Sequence, residues 1–330
     1  MSGDRTKTAI AGIRRSLPTG LRMLAVLLMA GLAWWCIGQL GWVLRGFETP
    51  GGWVPGSAGA AEHTLLLVPL MTSQLALLVT GSLVGGVCGG LAVVLGGGRR
   101  WLTVVSSGLG VAVAVTVVLV QATSAIRARP GAGFAADDRV LIGLCAVVAV
   151  ASLIGWLFGA AVVLGRPAWG LALGVLAGAA PAWVSGVALP VVGLDPRTVE
   201  VVAQVGRSVG SVLLIAALLA VGSRPLSRVA LWLVVVLLAW FVGPTLTAAG
   251  YLEQLLRPAA GLPHALRSTV EAAWQVFAQA SSPGNRPLSG WLYALLAAAA
   301  LSLLLRVRDR GASTGQTSEP TDRSTTSSEG

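Results

Sequence analysis

Eight long apolar runs, almost free of charge in their cores, fill most of the 330-residue chain. They lie at about 23–44, 75–97, 101–123, 140–164, 169–190, 201–222, 229–250 and 288–305. A run of about 18 or more apolar residues can cross the roughly 30 Å hydrocarbon core of a bilayer as a helix. Only helices and closed barrels satisfy every backbone polar group in lipid, and these runs are continuously apolar rather than alternating. The expected fold is an all-α polytopic membrane protein, a bundle of about eight transmembrane helices. Composition agrees, because 11% charged residues are too few to cover the surface of a soluble domain.

Positive charge orients such a chain, since cytoplasmic loops are enriched in Lys and Arg. The connections after the second, fourth and sixth runs hold Arg99, Arg100, Arg166, Arg224 and Arg228 and no acid. Arg5, Lys7, Arg14, Arg15 and Arg22 precede the first run, and Arg306, Arg308 and Arg310 follow the last. Both termini are therefore expected on the cytoplasmic side of a cell membrane, as an even number of passages requires. Most of the formal net charge of +10 gathers at that surface, where anionic headgroups attract it. The lipid bilayer is the first partner. Nucleic acid is not one, because no basic patch is interleaved with stacking aromatics on a soluble module.

The preference for arginine over lysine, with abundant Ala, Gly and Val, points to a GC-rich bacterial genome. Cys36, Cys88 and Cys145 all fall inside runs, so the outer connections hold no disulfide framework. The first run, about 22 residues, exceeds the apolar region of a signal peptide and reads as an uncleaved anchor. Small residues at 57–61 keep a cleavage site as the alternative.

Residues 1–22 form a basic N-terminal segment, 23–306 the transmembrane domain, and 307–330 a Ser/Thr-rich tail expected to be disordered and cytoplasmic. The apolar stretch 64–97 is too long for one passage, and Pro69 is expected to break it into a short interfacial or re-entrant piece over 64–73 and the second span. Asp195-Pro196 makes a good helix start, with Asp as cap and Pro in the first helical position. The sixth helix should then run about 27 residues, roughly 40 Å. Ser268 and Glu271 fit a capping box, and Val270, Trp274 and Phe277 recur at helical spacing. This predicts an amphipathic helix over about 269–280 on the outer surface. It would either pack on its own bundle or dock with an envelope protein partner.

The leading candidate site is a polar stripe on the sixth helix. Arg197, Glu200, Gln204, Arg207 and Ser211 fall within about 80° of arc at 100° per residue, so they share one face. Arg207 is the deepest charge, about 22 Å above the inner boundary. Charged residues at such depth usually face a bundle interior or a wet cavity. The stripe is either an outward-facing vestibule for an anionic group or an arginine snorkelling to the interface beside Glu200.

Gly81, Gly85 and Gly89 in the second helix, and Gly170, Gly174 and Gly178 in the fifth, are spaced to let helices approach closely. They predict packing seams within the bundle, or the face of a homo-oligomer. Pro181 and Pro244 should kink their helices. Trp34, Trp35, Trp42 and Trp53 near the outer end of the first helix, with Trp101 and Trp169 at the inner face, read as interfacial anchors.

Other motifs carry no chemistry. Gly206-Arg207-Ser208-Val209-Gly210 matches a nucleophile elbow in letters, but that motif needs a strand–turn–helix and this stretch is helical. His63 and His264 sit in no metal-ligand pair, so no metal is expected. With Lys7 the sole lysine there is no P-loop, and Gly131-Ala132-Gly133 follows no strand, so no cofactor is expected. Asp137 and Asp138 open the fourth helix among Arg127, Arg129 and Arg139 and read as a solvated charge cluster. Glu48 is a lone acid in a Gly/Pro loop.

Three function classes remain. The sequence favours a non-enzymatic accessory or scaffold protein of the cell envelope. The alternative is a transporter or lipid-handling permease using the vestibule on the sixth helix. The third is a membrane-embedded enzyme acting on an envelope lipid, with no catalytic residue to assign.

Overall fold

In lipid each apolar run closes its backbone hydrogen bonds within itself, and the protein is an all-α polytopic membrane bundle. The computed structural model describes residues 18–46, 66–96, 99–128, 138–222, 227–255, 266–286 and 288–314. The helices are α1 (Thr19–Gly38), α2 (Leu75–Leu91), α3 (Arg100–Arg127), α4 (Asp138–Ala160), α5 (Arg166–Val192), α6 (Pro196–Val221), α7 (Ser227–Leu255), α8 (Leu266–Ser281) and α9 (Leu288–Thr314). Among the described residues, seven helices, from Thr19–Gly38 to Arg228–Glu253, are long and apolar enough to cross a membrane. The eighth expected passage, Leu288–Leu304, is shorter. Short connections make neighbouring helices alternate in direction. Gly165 (φ 115°) and Gly193 (φ 101°) make the reversals at the two ends of α5, a conformation that side chains disfavour. Arg100, Arg166 and Arg228 thus mark one end of the bundle, called here the basic end.

Glycines set the helix spacing. On α2, Gly81 lies against the Gly38 carbonyl and Gly85 against the Trp34 carbonyl of α1. Gly89 meets Val111 of α3 and the Ala30 carbonyl. The opposite side of α2 presents Gly86 and Gly90 to Gly155 and Gly159 of α4. On α5, Gly170 meets Val221 of α6, while Gly174 and Gly178 meet Val235 and Ala239 of α7. Both triplets are thus packed inside the chain, and neither offers a face to a second copy.

The first passage departs from expectation. α1 stops at Gly38, Gln39 is non-helical (φ −97°, ψ 14°), and a separate single turn follows over Leu40–Val43. Of the interfacial and re-entrant alternatives for 64–73, the described residues 66–71 fit the re-entrant one: they are non-helical, and Leu66, Val68 and Leu70 are buried in the core with Trp42. Non-helical backbone at membrane depth survives only where protein supplies its partners. Here Trp42 Nε1 donates to the Leu66 carbonyl (2.7 Å), Trp35 Nε1 to the Leu67 carbonyl (3.1 Å), and the Leu67 N–H donates to Gln121 Oε1 (3.0 Å). Trp34 is fully buried, and its Nε1 donates to Ser152 Oγ (2.9 Å). This corrects the reading of Trp34 and Trp42 as interfacial anchors. A buried indole needs an acceptor, and the chain supplies acceptors by folding 66–71 back into the bundle.

Gln39 is 1% exposed, and neither end of its amide has a hydrogen-bond partner among the described residues. A buried polar group without a partner costs about 1–3 kcal/mol. Gln39→Met, nearly isosteric, is therefore expected to raise the melting temperature of the purified protein. A lower melting point would show that the amide has a partner.

At the other end of the chain, α9 stays helical to Thr314, past the expected boundary at 306, so the tail begins later than its composition suggests. The segments 1–17 and 315–330, and Glu48, Glu62, His63, Asp137 and His264, lie outside the described residues.

Candidate functional site

α6 begins as its sequence dictates. Asp195 caps it, accepting from the Thr198 N–H at 3.0 Å, with Pro196 in the first turn. Hydrogen bonds from the Thr198 side chain and backbone hold the Asp195 carboxyl below its ordinary range. The cap is therefore ionised at neutral pH. Gly206 and Gly210 then turn one face of α6 against α5: a Cβ on Gly206 would stand 2.9 Å from Pro181 Cα, and one on Gly210 would stand 2.8 Å from the Ala177 carbonyl oxygen. Pro181 has no N–H to offer that carbonyl four residues back.

This contact fixes where the polar stripe points. Arg207 Nε and Nη2 both donate to Gln204 Oε1, at 3.2 and 2.8 Å. Ser208 Oγ donates to the Gln204 carbonyl and Ser211 Oγ to the Arg207 carbonyl. Gln204, Arg207 and Ser211 line one cavity; Arg197 and Glu200 are exposed nearer the start of α6 and do not line it. The five-residue stripe is thus split in two.

The opposite wall comes from α7 and the α8–α9 break. Pro244 lacks the N–H that would close the helical bond to the Trp240 carbonyl. Arg286 supplies the missing donor: its Nη1 donates to that carbonyl at 2.8 Å. Its guanidinium also sits 5.0 Å from the Trp240 ring centroid, a cation–π distance. Gly243 leaves the room, since a Cβ there would stand 2.6 Å from Arg286 Nη2. Trp240 Nε1 in turn donates to the Ser281 carbonyl (3.0 Å), and its ring meets Trp291 edge-on (5.1 Å).

These contacts revise the helix expected on the outer surface over 269–280. It is present as α8, Leu266–Ser281, starting before Ser268, so Ser268 is not its cap. Phe277 stacks on Phe241 (6.0 Å) and on Trp274 (5.3 Å). Val270 and Trp274 are exposed. The last turn of α8 therefore packs on its own bundle at Trp240, about 18 Å from the basic end by helical rise. The chain breaks at Ser282–Arg286, partly as a 3-10 turn over Pro283–Asn285, before α9 starts.

α5, α6, α7 and this break line an open cavity of about 610 Å³, within the range of small-molecule sites. Arg207 and Gly243 both lie about 22 Å from the basic end by helical rise, a distance shorter than the roughly 30 Å of a hydrocarbon core. Ser185, Ser208, Ser211, Thr247 and Ser289 add hydroxyls, and Ser289 and Gly290 belong to the first turn of α9, where N–H groups lack helical partners. Arg207 and Arg286 are the charged groups among the described lining residues; none of these is a carboxylate, imidazole or thiol. What this lining can offer chemically is positive charge and hydroxyl groups.

Elsewhere, Asp138 pairs with Arg127 at 2.6 Å, both exposed, as a charge cluster would. Among the described residues no group of three His, Cys, Asp or Glu is placed to hold a metal. Sequence reasoning missed Arg286. Two signals pointed to it: turn residues at 282–287 between apolar helices, and a carbonyl freed by Pro244. No protein-family model, no curated protein and no solved structure matches this chain.

Proposed function

We propose that the protein is a permease of the bacterial cell membrane that takes an anionic substrate into the cavity between α5, α6, α7 and the α8–α9 break. One observation carries this reading: two arginines unpaired with any carboxylate among the described residues share a cavity at hydrocarbon depth. Isolated charge there is costly and marks substrate paths. The broken α8–α9 passage supports it too, because discontinuous helices build substrate sites in transporters. With the basic end cytoplasmic, the site lies in the outer half of the membrane.

Purification in a mild detergent, followed by mass spectrometry of whatever stays bound, tests this. A defined anionic lipid or small molecule, lost in Arg207→Ala, is the expected result. In cells, Arg207→Ala is expected to abolish function at normal protein level; normal activity would remove the site. The exposed Val270 and Trp274 on α8 favour a second reading, an envelope scaffold. A stoichiometric protein partner released by Trp274→Ala would establish that reading instead.

A further inference from the structure

Resting on the permease reading, we infer that the ligand is a phosphoryl group, and that Arg207, Arg286 and the first turn of α9 are what recognise it. The donors come from three directions onto one cavity. Arg207 commits Nε and Nη2 to Gln204, an amide oxygen sitting on the fork that a carboxylate or phosphate would take. Its Nη1 makes no hydrogen bond among the described residues. Arg286 commits Nη1 to the Trp240 carbonyl, and its Nη2 is likewise uncommitted. Ser289 and Gly290 bring the N–H groups of the α9 start, and a helix start favours an anion. Ser211 Oγ lies 3.8 Å from the Cβ position of Gly290, so α6 and α9 close on the same space.

A planar carboxylate presents two oxygens along one edge. A tetrahedral phosphoryl presents three or four, and so can meet donors from α6, from the break and from α9 together. A neutral ligand would leave both charges uncompensated, and a cation would be repelled. The source of the phosphoryl is a lipid headgroup or free phosphate. The surroundings favour the headgroup: Gln204, Arg207 and Ser208 are exposed, and beside them on α6 run exposed Val201, Val205 and Val212. At 100° per residue these valines occupy the neighbouring arc. Acyl chains can lie along them while the phosphoryl enters the cavity.

The test uses the full chain in maltoside detergent, free of phosphate. Phosphatidic acid, diacylglycerol with the same acyl chains, and inorganic phosphate are titrated separately and bound adducts are counted by native mass spectrometry. Phosphatidic acid is expected to bind at least tenfold more tightly than diacylglycerol. Arg207→Gln should weaken it by roughly 10- to 100-fold, the value of a hydrogen bond to a charged group, and leave diacylglycerol unchanged. Arg207→Lys, which keeps the charge but loses the fork, should fall between. Equal melting temperatures for the three proteins confirm that each is folded. Arginine-dependent binding of inorganic phosphate, with none of phosphatidic acid, would keep the assignment and make free phosphate the source. Equal binding of phosphatidic acid and diacylglycerol, indifferent to Arg207, would overturn the phosphoryl assignment and leave the permease reading standing. Binding of no phosphorylated probe would overturn it also, and the ligand extracted with the native protein would then decide the permease reading by itself.

Discussion

Arg286→Met is expected to destabilise the protein by roughly 2–3 kcal/mol, and Pro244→Ala is expected to recover part of that loss. Methionine keeps the bulk of the arginine stem and removes its donors. The Trp240 carbonyl, already without a helical partner because of Pro244, then loses the Nη1 contact at 2.8 Å. A half-buried acceptor deprived of a charged donor costs about 1–3 kcal/mol. Loss of the cation over the Trp240 ring adds about 0.5–1 kcal/mol. Restoring an N–H at position 244 closes the helical bond instead, so the two substitutions should be strongly non-additive. Thermal melting of the four proteins in one detergent measures the coupling. Additive losses would mean that Arg286 holds something other than the carbonyl freed by the proline.

That coupling also shows where sequence reading stops. The apolar runs give the helices directly, because in lipid the chain has no other way to satisfy its backbone. Counting residues down α6 gives the depth of Arg207, since helical rise is fixed. Its companion in the cavity is 79 residues away in sequence. What brings Arg286 to that depth is α8 lying on α7 through Phe277 on Phe241 and Ser281 on Trp240. Such contacts leave no local periodicity, so 282–287 read as an outer loop.

Trp34 and Trp42 teach the same lesson from the other side. A tryptophan near a span end can anchor at the interface or bury itself around an acceptor. The choice here depends on residues 66–71 returning into the bundle and on Ser152 of α4. The polar stripe was legible as a face of α6. Its division, with Arg197 and Glu200 outside the cavity and Gln204, Arg207 and Ser211 in it, appears only once α5, α7 and the start of α9 are set against α6.

Two alanine substitutions on one helix separate intrinsic helix preference from packing. Gly143 and Gly155 both lie inside α4. A Cβ on Gly143 meets nothing within 4 Å, whereas one on Gly155 would meet the Leu83 carbonyl, stand 2.9 Å from the Val87 nitrogen and 3.1 Å from Gly86 Cα. Alanine exceeds glycine in helix preference by about 1 kcal/mol at either position. Gly143→Ala should therefore be neutral or stabilising. At Gly155 the three nearest atoms belong to the backbone of α2, which has no rotamer to change, so the two helices must move apart. Overpacking of this kind costs about 1–3 kcal/mol, and it is felt widely because α2 also packs on α1 through Gly81 and Gly85. Gly155→Ala is thus expected to melt well below Gly143→Ala, by about 2 kcal/mol or more, with loss of folded protein on purification. If the two variants melt together, α2 and α4 do not touch through their glycines, and the close-packed centre that holds α5, α6 and α7 around the cavity is not what positions the site.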